Sequence, residues 1–150
     1  MCFNLKKRKK MDNQKINEIV TKELRGRISR INQVFMPDES YRPISKDGVK
    51  KILGETLIDR RSYTGSVGDC DDFAHLLKGE FIKKAWNENG RYPFAFGILW
   101  GQVKMQDKWV GHAINWFIDN KEKLHLVEPQ TDEIFKPDKD KLKEVFFLLM

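Results

Sequence analysis

The sequence predicts a single α+β domain in which a central helix, carrying a cysteine at its N-terminus, packs on an antiparallel β-sheet. Three observations carry this reading. Helical periodicity is confined to the first half of the chain. One strongly patterned helix begins at Cys70. From Phe94 onward, alternating runs are separated by short polar turns, the pattern of an antiparallel meander. Helices first and strands afterwards make an α+β domain. The 150 residues are enough for one hydrophobic core and too few for two, and 40% hydrophobic with 33% charged residues fits a packed globule.

The elements follow in order. Residues 1–11 form a basic arm, expected to be disordered, and residues 12–35 an N-terminal helix. There Ile16, Ile19, Val20, Leu24, Ile28, Ile31 and Phe35 recur at three- and four-residue steps. Gly26 weakens that helix by about 1 kcal/mol relative to alanine and is the point where it would bend or split. Residues 36–150 form the domain proper. A short helix starts after Ser45 and ends near Gly54, and turn formers from Asp59 to Gly68 mark a surface loop that can wall a cleft. The central helix runs from Cys70 to Trp86 or Asn87, with Asp69 as N-cap and Phe73, Ala74, Leu77, Phe81 and Ala85 as its buried stripe. Strands are expected at 94–104, 109–118, 123–128 and 144–149.

The net charge of +6 is a local property. Lys6 to Lys10 supply five positive charges, the first ten residues contain no acid, and the remainder is close to neutral. The arm reads as a solvated tail, and nothing outside it suggests a nucleic-acid contact. Two cysteines form no disulfide framework and no zinc spacing, which suits a reducing, cytoplasmic setting. No run of about 20 apolar residues is present, so no membrane span or export signal is expected.

The candidate chemistry centres on Gly68-Asp-Cys-Asp-Asp-Phe-Ala74. A thiol reacts as its thiolate, which a helix N-terminus and an adjacent imidazolium both favour. His112 is the candidate base. A hairpin turn centred on Asn120, with a loop of three or five residues, pairs residues whose numbers sum to 240, so His112 faces Glu128. His112, Ile114, Trp116, Leu124, Leu126 and Glu128 then share one sheet face. Asn115 is the alternative orienter, although alternation turns it away from His112. Asp71 and Asp72 oppose ionisation of the thiol by charge repulsion. They are either ordinary residues of a helix first turn or oxygen ligands for a hard cation such as calcium.

These motifs, with Gly111-His-Ala-Ile-Asn115 and Glu128-Pro-Gln130, resemble the papain-like and transglutaminase-like cysteine peptidases. They resemble most the small peptidase domain at the C-terminus of Marasmius oreades agglutinin and its bacterial and phage relatives. The resemblance covers about residues 36–131. It implies a papain-like/transglutaminase-like fold and a thiol hydrolase (cysteine peptidase) with Cys70 as nucleophile, His112 as base and Glu128 as orienter. Asp71 and Asp72 would be calcium ligands. The backbone N–H of Cys70 would donate to the oxyanion, and the substrate would be a peptide or isopeptide amide of a protein or peptide. Two alternatives stay open: a transglutaminase or acyltransferase using the same residues, and a non-enzymatic interaction module with a basic arm.

Overall fold

The computed structural model describes residues 9–28 and 34–150. Residues 1–8 of the expected basic arm and residues 29–33 of the expected N-terminal helix, Ile31 among them, lie outside the described residues.

Helix α1 (Asn13–Glu23) is capped by Asp12, whose side chain accepts from the Lys15 N–H. It is shorter than the sequence predicts. Gly26 takes φ +77°, a left-handed conformation that glycine adopts without a Cβ penalty, and the chain leaves the helix before it. Ile28 then bridges to Val145 instead of extending the helix. Strand β1 (Met11–Asp12) pairs with β3 (Ser40–Tyr41), and Met11 is buried, so the end of the expected arm belongs to the core. Lys9 pairs with Glu122 at 3.0 Å, which fixes another arm residue to the body.

Helix α2 (Lys46–Glu55) begins where Ser45 Oγ accepts from the Gly48 N–H, at 3.0 Å. Helix α3 (Cys70–Asn87) is the long helix expected from the cysteine, and it buries Phe73, Ala74, Leu77, Phe81 and Ala85. Burying each large apolar side chain of that stripe contributes about 1.5–3 kcal/mol.

Six strands form the main sheet: β2 (Val34–Phe35), β4 (Phe96–Met105), β5 (Lys108–Ile118), β6 (Leu124–Glu128), β7 (Glu133–Phe135) and β8 (Leu142–Leu149). Their spatial order is β2-β8-β4-β5-β6-β7. The run from β4 to β7 is a meander, whereas β8 returns beside β4 and pairs in parallel with β2. A purely antiparallel sheet is therefore corrected to a mixed one.

The central-helix architecture is corrected as well, because the sheet is the middle layer. On one face α1, through Ile16, Ile19 and Val20, packs with Leu99, Ile114, Trp116 and Leu126. On the other, Phe73, Leu77 and Phe81 of α3 and Val49, Ile52 and Leu53 of α2 pack with Phe96, Phe117 and Val127. The sheet is apolar on both faces, and each face needs a helix to cover it. Burial on two sides explains why β6 reads as an unbroken buried run rather than an alternating one. No helix among the described residues is long and apolar enough to cross a membrane.

Candidate functional site

Cys70 opens α3. Gly68, at φ +86°, turns the chain into the helix, and Asp69 and Asp72 form a reciprocal capping box. Asp72 Oδ2 accepts from the Gly68 N–H at 2.7 Å and from the Asp69 N–H at 3.4 Å. One predicted metal ligand thus uses an oxygen to close the helix start. Cys70 is half-buried and packs against a small cluster of Ala74, Ile98 and Ala113.

His112 and Glu128 meet. His112 Nε2 lies 2.7 Å from Glu128 Oε2, both side chains are largely buried, and Glu128 Oε1 accepts from the Gln130 N–H at 3.1 Å. They do not meet as directly opposed residues. The observed register pairs Asn115 with Val127 and Trp116 with Leu126, two residues away from the expected one. The turn occupies residues 119–123 because it is wound around Asp119, whose Oδ1 accepts from the N–H groups of Lys121 and Lys123 at 2.8 and 2.9 Å. A two-residue shift preserves which face each side chain takes, so His112 reaches Glu128 diagonally.

Cys70 packs through Ala113 against β5, the strand that carries His112. Among the described residues no hydrogen bond links it to His112. Strand alternation places His112 in rank with Ile114 and Trp116, while Cys70 packs against Ala113 of the other rank. Asn115 does not orient His112. It is fully buried, and its Nδ2 donates to the carbonyls of Ala74 at 2.9 Å and Gly97 at 3.1 Å, tying α3 to β4.

Beside the first turns of α3, the loop before it walls a cleft of about 450 Å³, lined among others by Arg61, Ser62, Thr64, Val67, Asp72 and Leu76. The loop holds its shape through a Thr64 N–H bond to Gly68 O at 3.1 Å. Sequence reading placed a cleft wall here but did not single out Arg61, Thr64 or Leu76, which belong to no motif.

Asp69, Asp71 and Asp72 bring one carboxylate oxygen each to within 4.8 Å of one another. Asp69 Oδ1 is buried without a partner, and its carboxyl pKa is raised, first by the hydrogen bond with Asp71 and then by burial. An oxygen-only donor set with one orphaned atom fits a hard cation.

The family model described as "Agglutinin C-terminal" matches residues 41–134. No curated protein sequence matches the chain. Among solved structures, the one titled "PSL1a-E64 complex" superposes with a TM-score of 0.73 at 20% identity, over 94% of this chain and 51% of that one. The Polyporus squamosus lectin bound to the human-type influenza-binding epitope Neu5Aca2-6Galb1-4GlcNAc gives a TM-score of 0.71, again at 20% identity, over 94% and 49%. The chain spans about half the length of the chains it matches, and at this identity the likeness is one of fold.

These matches correct the earlier expectations. The family match agrees with the resemblance to the C-terminal domain of an agglutinin, but the name it carries is that of an agglutinin and not of a papain-like or transglutaminase-like cysteine peptidase. The expectation of an enzyme, a thiol hydrolase cleaving peptide or isopeptide amides, is replaced by that of an agglutinin domain.

Proposed function

Because the chain belongs to the agglutinin C-terminal family, we propose that it is a non-enzymatic interaction module and that its ligand is a carbohydrate. The observation carrying this reading is the extent of the family match. Residues 41–134 include α2, the cleft loop, α3 and strands β4 to β6. The cleft beside α3 has the chemistry a sugar needs. Arg61 donates, Ser62 and Thr64 both donate and accept, and Asp72 accepts, while Val67, Phe73 and Leu76 offer apolar surface to the C–H faces of a ring.

Cys70, His112 and Glu128 are assigned to the same functional region. His112–Glu128 is a fixed polar pair one residue from Ala113, which packs with Cys70. A calcium-class cation is proposed at Asp69, Asp71 and Asp72, at the start of the helix that lines the cleft; it would neutralise three neighbouring carboxylates and hold the loop's end in place.

Calorimetric titration of the full chain with Neu5Acα2-6Galβ1-4GlcNAc, followed by a broader glycan panel, tests this with and without calcium. Saturable binding is expected, weakened at least tenfold by Arg61→Ala, and reduced by calcium removal in the natural chain but not in Asp71→Asn. Absence of binding to every glycan at millimolar concentration would overturn the reading.

A further inference from the structure

A second concave site lies away from α3. It occupies about 350 Å³ between the end of α1, the start of β6 and the segment after β7, and its charged lining is Arg27, Lys123, Lys136, Lys139, Glu23 and Asp138. Four cations face two carboxylates, which leaves two positive charges in excess. Glu23 is already engaged by Lys123 at 3.4 Å.

Arg27 is held rigidly. One terminal nitrogen donates to the carbonyl of Pro137 and the other to that of Glu23, at 2.6 Å. With both ends of the guanidinium anchored on backbone, its Nε–H is buried and has no acceptor. A buried donor without a partner costs about 1–3 kcal/mol. Burial also lowers the Arg27 pKa, with Asp138 and Glu23 compensating only in part.

We propose that this cleft binds a phosphate group, either inorganic phosphate or the terminal group of a small phosphomonoester. A phosphate carries about 1.5–2 negative charges at neutral pH, comparable to the excess, and its several acceptor oxygens are open to the lysine ammonium groups around the cleft. Lysines suit it better than a planar carboxylate because they act as point charges that can approach a tetrahedral anion from several sides. The site is independent of the cleft beside α3 and of the carbohydrate reading.

The test is a titration of the full chain with sodium phosphate at constant ionic strength, against a sodium chloride control, read by thermal denaturation and calorimetry. Phosphate should raise the midpoint saturably. The double variant Lys136→Gln/Lys139→Gln, both exposed side chains, should keep the midpoint of the natural chain without phosphate and lose at least tenfold in affinity. A parallel arm with glycerol phosphate separates the two sources: equal binding assigns the site to a terminal phosphate group, and binding of inorganic phosphate alone assigns it to the free ion. No rise beyond the chloride control, or an equal rise in the double variant, would overturn the proposal.

Discussion

At the scale of single residues, the polar groups of this protein are placed by backbone geometry that short-range pattern reading reaches only in part. The meeting of His112 and Glu128 was legible because side-chain direction in a strand depends on parity, and parity survives a shift of two residues. The turn that produced the shift was not legible, since it depends on one carboxylate, Asp119, accepting from two N–H groups within its own loop. Asp132 left no signal at all. It sits at φ +60°, its Oδ1 is buried and unpaired, and burial, followed by the charge of Asp59, pushes its carboxyl pKa up to about 6. A carboxyl whose folded pKa lies above its ordinary value of 3.8 holds its proton longer in the folded than in the unfolded state. Its contribution to stability therefore declines as pH rises from about 4 to about 6 and stays unfavourable above that. Asp132→Asn, which tolerates the left-handed conformation, should raise the thermal midpoint at pH 7.5 by roughly 2–4 °C, the effect of about 1 kcal/mol in a domain of this size. Solvent around the partly exposed carboxylate keeps the gain from being larger. At pH 3.5 the two chains should melt together; an equal gain at both pH values would contradict the assignment to charge.

Among elements, the long periodic ones were read closely and the short or non-local ones were not. Helix α3 declares itself through a stripe at helical spacing and through the acids of its first turn. Strands β2 and β7, of two and three residues, are too short to carry a period, and the return of β8 to lie beside β4 is a long-range pairing that no local pattern encodes. Helix α1 ends early because Gly26 leaves the helical region, a conformation whose consequence sequence reading allowed for without fixing. The link between elements most open to test is Asn115, considered as an orienter for His112 and found tying α3 to β4. Asn115→Ala leaves the Ala74 and Gly97 carbonyls without that donor in a fully buried place, so it should cost about 1–3 kcal/mol in urea denaturation. Asn115→Asp should cost more, because it sets a carboxylate against two carbonyl oxygens. Unchanged stability in both variants would show that the helix is held without this tie.

At the scale of the whole molecule, a mixed sheet covered on both faces by helices positions the two concave surfaces discussed above, one beside the N-terminus of α3 and one at the start of β6. The sequence motifs drew attention to the first because Cys70, His112 and Glu128 are residue types that carry chemistry. The second stayed hidden because its charges come from three separated segments whose meeting depends on the tertiary fold. Residue types alone did not settle what the first surface does. A non-enzymatic module needs no ionised thiol, and Cys70 packs against Ala74, Ile98 and Ala113. The most direct measurement is intact-protein mass spectrometry of the full chain after incubation with an electrophilic peptide probe, with and without calcium. The interaction-module account predicts no adduct on Cys70 beyond the slow background of an ordinary exposed thiol. A rapid, stoichiometric adduct on Cys70, lost in Cys70→Ala and in His112→Ala, would contradict it.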